Sequence, residues 1–325
     1  MKILMLGFSV LGNHFYRSLT AIAHSRISVD AFSLGGHNFT ILPAIMDRIL
    51  ARDDYDMVLL DMLTPDFRKW VNIVEFERYL RAILYKISIR GLKVGFIHLH
   101  RFDVDPKDDP IRAICDIYSD RYDLPIIDFA QRHIPELGDE GATYVPDGVH
   151  FSEPGAQWAA GIVVMCLEQP GFLQLGANLP GLEVADNLLR HCSFNMAELG
   201  VAAPSEPFAG YGVHWPVSIF AQDHAVTIPM PPAFFGIGMF FVNGPRSGDV
   251  KITVSGAEPI ILRIHDAKSY FQRMFWRPVP INKAGHVTFC QVAGRPDVVL
   301  DKGTPVFDDR LLKLALVTGI SLPAL

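Results

Sequence analysis

The sequence KILMLGFS, residues 2–9, indicates a buried strand that runs directly into a turn. The residues from Ile3 to Leu6 are all apolar, which is typical of a parallel strand covered on both faces of a sheet. Gly7 marks the end of the strand. Ser9 follows in the turn, so its hydroxyl is expected at the carboxyl edge of the sheet, where open α/β sheets bind their ligands.

Strand and helix patterns alternate from this stretch to about residue 168. Further strands are predicted at Ile27–Phe32, Met57–Leu60, Val94–Leu99 and Leu124–Ile127. Apolar residues at helical spacing lie between them, and the longest such patterns run from Trp70 to about Ile89 and over Gly155–Leu167. This alternation predicts right-handed crossovers and therefore a doubly wound α/β domain with a parallel sheet.

The pattern changes after about residue 170. Gln169–Leu182 is rich in Gly, Pro and Leu, and from Gly212 onward short alternating runs are separated by turn residues. Such runs indicate an antiparallel β-sandwich or jelly roll, followed by a helical pattern at Asp309–Leu316. We therefore predict an α/β domain over residues 1–170, a connector over 171–205 and a jelly-roll-like β-sandwich domain over 206–325.

The composition argues against nucleic acid or an anionic membrane as the main partner. The 325 residues are 50% hydrophobic and 20% charged, with a net charge of −6, and they contain no Lys/Arg-rich run. The four cysteines lie far apart and give neither a zinc-site spacing nor a disulfide framework. The N-terminal apolar run is too short for a signal peptide, and no run reaches the ~20 residues of a membrane span. We therefore expect a soluble, cytoplasmic protein.

A second motif, DGVH at residues 147–150, contains an acid and a histidine three positions apart. On a loop this spacing lets both side chains turn to the same side. His150 would then take the proton of the Ser9 hydroxyl, while Asp147 holds the imidazole in the required tautomer. Purely structural roles remain open at this point, with Ser9 as a helix N-cap and Asp147 and His150 as parts of a surface turn.

Together these motifs resemble the SGNH (GDSL-type) hydrolase family over residues 1–168. The first block of the family, Gly-Asp-Ser, corresponds to Gly7-Phe8-Ser9, and its Asp-x-x-His block is matched by Asp147 and His150. The resemblance implies an SGNH-like three-layer α/β/α domain with a parallel sheet. It also implies a serine esterase whose catalytic residues are Ser9, Asp147 and His150, and whose cycle needs no metal and no organic cofactor.

The blocks that bind the oxyanion match the family less well. Gly36 corresponds to the second block, a glycine after strand two, with Gly35 as the neighbouring option. The third block, Gly-x-Asn-Asp, is replaced by MLTPD at residues 62–66. The resemblance then implies that the backbone N–H groups of Ser9 and of Gly36 or Gly35 donate to the oxyanion. Thr64, Asn38 or His37 would substitute for the missing asparagine. Because one lost donor typically costs about 10²–10³ in rate, a slow enzyme, a transferase or an inactive descendant stays open.

Other polar residues follow the predicted strands and are candidates for substrate contact, since ligands bind at this edge of the sheet. They are His37 after strand two, Asp61, Asp66 and Arg68 after strand three, and His98, His100 and Arg101 after strand four. Each can equally be an ordinary polar residue of a solvated loop. His98 and His100 alternate as two metal ligands on a strand would, but without a third ligand no metal site is predicted.

The β-rich half is rich in aromatic residues, which either fill the sandwich core or stack on sugar rings. A β domain beside an SGNH-like domain favours a carbohydrate ester, with acetyl as the expected acyl group. The prediction is thus a carbohydrate acetyl esterase acting on a small-molecule or glycan ester. Two alternatives remain, a glycan O-acetyltransferase and a catalytically silent glycan-binding protein on an SGNH scaffold. The sequence leaves the oligomeric state open.

Overall fold

The computed structural model describes residues 1–22, 27–35, 37, 39–52, 54–65, 72–172, 174–176, 179, 190–210, 213–222, 224–254, 257–281, 285–292, 298–303 and 310–321. The chain divides into two compact units, Met1–Ala185 and Asp186–Leu325. Each unit has its own sheets and its own hydrophobic core. Within the described ranges, none of the helices has the length and apolar content that crossing a membrane would require.

The first unit is built around a five-stranded parallel sheet. Its strands are β1 (Lys2–Gly7), β2 (Ser28–Ser33), β3 (Met57–Leu60), β4 (Lys93–His98) and β5 (Ile126–Asp128). They lie in the order β2-β1-β3-β4-β5, and every neighbouring pair is parallel. Strand β1 therefore has a neighbouring strand on each side, as its continuous apolar run predicts, and the α/β fold class is confirmed.

Helices lie between these strands and follow the last of them. They are α1 (Asn13–Ile22), α2 (Leu42–Leu50), α3 (Ile73–Ser88), α4 (Pro110–Tyr122), α5 (Ile134–Glu136), α6 (Gly141–Tyr144) and α7 (Glu153–Glu168). Short 3₁₀ helices lie at Ser9–Leu11, Phe39–Ile41 and Gly138–Glu140, and a π-helical turn lies at Phe129–His133. Side-chain caps begin the three longest helices: Asn72 accepts from Val74 N, Asp109 from Ile111 N and Ser152 from Gly155 N.

The sheet is buried on both faces. On one face Ile3 and Met5 of β1 join a core with α1 and α7, in which the rings of Phe15 and Phe151 lie 5.2 Å apart. Leu4, which alternates with them and so points to the other face, is equally buried. This two-sided burial leaves the ends of the strands as the part of the sheet open to ligands.

The second unit is an antiparallel β-sandwich. Its strands are β6 (Arg190–Phe194), β7 (Ser205–Gly210), β8 (Val213–Ala221), β9 (Val226–Pro229), β10 (Phe234–Asn243), β11 (Val250–Val254), β12 (Ile260–Leu262), β13 (Arg273–Ile281), β14 (His286–Gln291) and β15 (Leu311–Ser321). One sheet has the order β13-β10-β15-β8-β7 with β6 paired to β15, and the other has the order β12-β11-β14-β9. Both sheets contribute side chains to one core. Strand β6 lies inside residues 171–205, the segment predicted as a connector.

The prediction of a helix at Asp309–Leu316 is wrong. Residues from Leu311 to Ser321 form β15, which pairs with β10 and with β8. Leu312 and the following residues up to Gly319 are buried. A nearly continuous apolar run fits a helical and a strand period equally well, and here the two neighbouring strands determine the outcome.

Candidate active site

Ser9 stands where β1 leaves the sheet. It opens the 3₁₀ helix Ser9–Leu11, in which Leu11 N donates to Phe8 O at 3.1 Å and Gly12 N donates to Ser9 O at 3.1 Å. The buried Phe8 anchors this turn from below, and its carbonyl accepts a hydrogen bond from Ser33 Oγ at 2.6 Å. Hydrogen bonds on both sides of Ser9 therefore fix the backbone that carries its hydroxyl.

Gly7 is required by close packing. A Cβ at this position would lie 2.7 Å from Asp61 Cβ and 2.7 Å from Leu11 Cδ1. Asp61 is itself fully buried after β3, where Oδ1 accepts from Leu63 N at 3.0 Å and Oδ2 accepts from the Thr64 hydroxyl. The loop after β3 is thus built directly against the turn that presents Ser9.

We expect Gly7→Ala to destabilise the protein by about 1–3 kcal/mol, because the added methyl overpacks a site with no room to relax. Thermal and urea unfolding measure this loss, and acetate release measures the accompanying loss of activity. Gly161→Ala is the matched control: Gly161 lies in α7 with no atom near an added Cβ, so alanine should be neutral or stabilising there. Equal stability of Gly7→Ala and the wild type would contradict the packing argument.

The loop carrying Asp147 and His150 is fixed by its own backbone. Asp147 Oδ1 accepts from Val149 N at 2.9 Å and from His150 N at 2.6 Å. Gly148 has a φ of 79°, a left-handed conformation that glycine adopts without strain. Its carbonyl accepts from Phe102 N at 2.8 Å, which ties the loop to the segment after β4.

The three side chains singled out in the sequence meet in one hydrogen-bonded chain. His150 Nε2 lies 2.9 Å from Ser9 Oγ, although the two residues are 141 positions apart. His150 Nδ1 lies 2.8 Å from Asp147 Oδ2. With Nδ1–H donating to the carboxylate, Nε2 is the acceptor for the serine proton. The His150 and Asp147 side chains are 40% and 56% exposed, so the site opens to solvent.

Asp147 is held in its ionised form. Partial burial acts to raise its pKa, but the backbone N–H of His150, the His150 ring and the backbone N–H of Val149 together lower the pKa to about 2. At neutral pH the carboxylate therefore presents a full negative charge to the ring of His150. Such a charge stabilises the imidazolium that forms when the ring takes a proton.

Of the predicted oxyanion donors, Ser9 and Gly35 lie side by side. A Cβ on Gly35 would be 3.8 Å from Ser9 Cβ, and the N–H of Ser9 belongs to the first turn of a helix, where backbone donors lack helical partners. Gly36 and Asn38 lie outside the described residues. The prediction of Thr64 as an oxyanion donor is corrected. Thr64 is buried, and both its hydroxyl and its backbone N–H donate to Asp61, so neither is directed to an oxyanion.

The predicted substrate-contacting residues separate into three groups. His37 and Arg101 lie at the correct edge: His37 Nδ1 is 2.9 Å from Gly35 O, and Arg101 Nη1 donates to Thr64 O at 3.1 Å. Asp66 and Arg68 lie outside the described residues. Asp61, His98 and His100 are buried in the structure, and this burial corrects their prediction as substrate contacts. His37 is 8% exposed, like His100, and its prediction is corrected with theirs.

His98 shows why the prediction fails. Its side chain is 0% exposed, and Nδ1 lies 3.7 Å from Asp116 Oδ1. Burial, and after it the charge of Arg112, hold the pKa of His98 well below its usual value. Arg112 in turn forms a bidentate salt bridge with Asp128, in which Nη1 donates to Oδ1 at 3.1 Å and Nη2 donates to Oδ2 at 2.6 Å. His98 is thus a neutral residue of the domain interior, and no group of three potential metal ligands is found among the described residues.

Phe102, which the sequence pattern did not single out, also lies beside the loop that carries His150. It lies between Arg101 and Asp103 in the loop after β4, and a Cβ on Gly148 would be 3.2 Å from its Cβ and from its Cδ2. A lone aromatic residue among charged ones in a loop at the carboxyl edge was the available signal.

Comparison with known proteins gives matches among solved structures. No protein-family model matches the chain, and no curated protein does. The crystal structure of a two-domain esterase (CEX) active on acetylated mannans, co-crystallised with mannopentaose, is similar at a TM-score of 0.67 and 15% identity, over 100% of this chain and 92% of that chain. A second crystal structure described as a two-domain esterase (CEX) active on acetylated mannans gives 0.64 and 14%, with the same coverage. At these identities the likeness shows the fold, and it confirms the α/β domain followed by an antiparallel β domain.

Proposed function

We propose that this chain is a serine esterase that removes acetyl groups from a carbohydrate. The observation that carries the proposal is the unbroken chain from Ser9 Oγ through His150 to Asp147, with contacts of 2.9 and 2.8 Å. A serine hydroxyl paired with a histidine that a carboxylate orients is the arrangement that makes an alkoxide nucleophile for acyl transfer.

The proposed cycle uses the side chains of the chain itself. Ser9 Oγ attacks the acetyl carbon while its proton passes to His150 Nε2, and the backbone N–H groups of Ser9 and of Gly36 or Gly35 receive the developing negative charge. His150 then returns the proton to the sugar oxygen, which leaves as a free hydroxyl. Water attacks the acetyl-enzyme with His150 again as the base. This step releases acetate and restores Ser9.

The carbohydrate part of the proposal has two supports. A fold neighbour that matches the full length of this chain is described as an esterase active on acetylated mannans. The exposed side chains of His150 and Asp147 also indicate a site open enough for a bulky alcohol, as a sugar ester on an oligosaccharide presents. An acetyl group needs little room beside the nucleophile, so no deep acyl channel is required.

The test combines a probe of the nucleophile with a natural type of substrate. A fluorophosphonate probe should modify the wild type at Ser9, located by peptide mass spectrometry. Acetylated mannooligosaccharides should lose acetate faster than p-nitrophenyl butyrate loses butyrate at equal concentration. Absence of labelling in a folded sample would contradict the esterase and favour a silent binding protein. Consumption of an acetyl donor that accelerates when a sugar acceptor is added would indicate a transferase instead.

We expect Asp147→Asn to lower kcat by about 10³–10⁴ and to leave measurable activity. Asparagine still offers one oxygen to the backbone N–H groups, but its amide nitrogen would face His150 Nδ1. The ring would then accept at Nδ1 and carry its proton on Nε2, where it cannot take the proton of Ser9. Initial rates of acetate release measure the effect, with Asp120→Asn, which changes an exposed carboxylate on α4, as control. Activity equal to the wild type would show that Asp147 does not orient His150.

A further inference from the structure

An exposed aromatic ring stands next to the loop that carries His150. Phe102 is 50% exposed, a large fraction for a phenylalanine. The ring packs against Gly148, where an added Cβ would be 3.2 Å from Phe102 Cδ2. Since successive Cα atoms are about 3.8 Å apart, Gly148 lies within about 8 Å of His150 along the chain. The ring therefore borders the proposed catalytic site without taking part in the proton transfers.

Specific contacts hold this ring in position. The backbone N–H of Phe102 donates to Gly148 O at 2.8 Å. From the interior side the buried His100 ring meets Phe102 edge to face, with centroids 4.1 Å apart and an angle of 73°. Gly148 adds no side chain that would cover Phe102. An exposed apolar ring is thus held in one orientation from two sides, which lowers the entropy lost when a ligand binds.

Charged residues flank Phe102 along the chain. Arg101 donates to both carboxylate oxygens of Asp103, at 2.8 Å each, and the Asp103 side chain is 60% exposed. Asp105 and Lys107, further along the same loop, are also exposed. An acyl chain would need a continuous apolar surface, whereas a single ring bordered by charged groups fits a sugar, whose C–H face is ringed by hydroxyls.

We propose that Phe102 is a sugar-binding residue, and that its ring stacks on one sugar of the acetylated glycan while the ester lies at Ser9. This inference rests on the proposed carbohydrate esterase function and adds the surface that recognises the glycan. Asp103 would accept hydrogen bonds from hydroxyls at the edge of the same sugar. The acetyl group and the sugar are then recognised by different residues, so the two contributions can be measured separately.

The test compares two esters that share the acetyl group. For Phe102→Ala we expect KM for acetylated mannooligosaccharides to rise about 10-fold with kcat within about 2-fold, because a stacked ring contributes to binding and not to bond making. Vinyl acetate, which has no sugar and no ring, should be hydrolysed at the wild-type kcat/KM. Phe102→Trp should restore the wild-type KM for the oligosaccharide. Ile117→Ala, which removes an apolar residue 57% exposed on α4, is the matched control.

Either of two kinetic outcomes would overturn the inference. An equal loss with vinyl acetate and with the oligosaccharide would mean that Phe102 only supports the loop of His150. An unchanged KM for the oligosaccharide would mean that the ring touches no sugar. If the wild type hydrolyses vinyl acetate but no glycan ester, the proposed function fails at its carbohydrate step. Calorimetric binding of mannopentaose to the Ser9→Ala protein then decides the question for Phe102: affinity weakened by Phe102→Ala supports the inference, and absent or unchanged binding ends it.

Discussion

Ser9→Ala is expected to reduce kcat/KM for acetate release by about 10⁵–10⁶ and to abolish labelling by the fluorophosphonate probe. Ser9 supplies the oxygen that bonds to the acetyl carbon, and an alanine methyl cannot replace it. Without Ser9 no acetyl-enzyme can form, so hydrolysis would need direct attack of water on the ester, with only His150 Nε2, which lies 2.9 Å from Ser9 Oγ in the wild type, as a base. Residual turnover would come from binding and oxyanion stabilisation.

The fold should survive this change. Ser9 lies in a short turn that is held by two backbone hydrogen bonds, Leu11 N to Phe8 O and Gly12 N to Ser9 O. Alanine preserves both, so the melting temperature should stay within about 2 °C of the wild type. Ser88→Ala is a matched control, because Ser88 Oγ donates to Tyr85 O in α3, away from the sheet edge. Undiminished activity of Ser9→Ala would remove Ser9 from the chemistry altogether.

The first domain could be predicted because its strands are buried on both faces. The apolar runs of β1 and β3 are short and alternate with helical patterns, which favours strands, and the helices between them determine the parallel pairing. The C-terminal strand could not be predicted. Leu311–Ser321 is just as apolar, but it becomes a strand only because β8 and β10 flank it. The spacing of apolar residues within one segment does not show which distant segments it pairs with.

The residues of the candidate site likewise differ in whether local sequence or the fold determines their position. Ser9, Asp147 and His150 could be predicted because each is constrained locally, by a strand end or by a spacing of three within one loop. Thr64 could not be excluded from the sequence, because only the folded loop shows its hydroxyl donating to Asp61. The placement of His98 likewise depends on where β4 ends. Its last residue still points into the interior, beside Asp116 of α4.

His150→Ala is expected to lower kcat/KM by about 10⁵–10⁶ while leaving the protein almost as stable as before. Without the ring, neither the proton of Ser9 nor that of the attacking water has an acceptor. The loop itself should persist, because Asp147 Oδ1 bonds to the backbone N–H groups of Val149 and His150, which alanine retains. The ring is also 40% exposed, so its removal leaves no buried cavity.

Two measurements on one His150→Ala preparation separate a catalytic from a structural histidine. Initial rates should collapse, and the rate of fluorophosphonate labelling at Ser9 should fall with them, because the same base activates Ser9 in both reactions. The melting temperature should change by no more than about 2 °C. His14→Ala, an exposed histidine on α1, provides the control for histidine loss as such. A drop of many degrees in the melting temperature with labelling retained would show that His150 stabilises the loop and does not act as the base for Ser9.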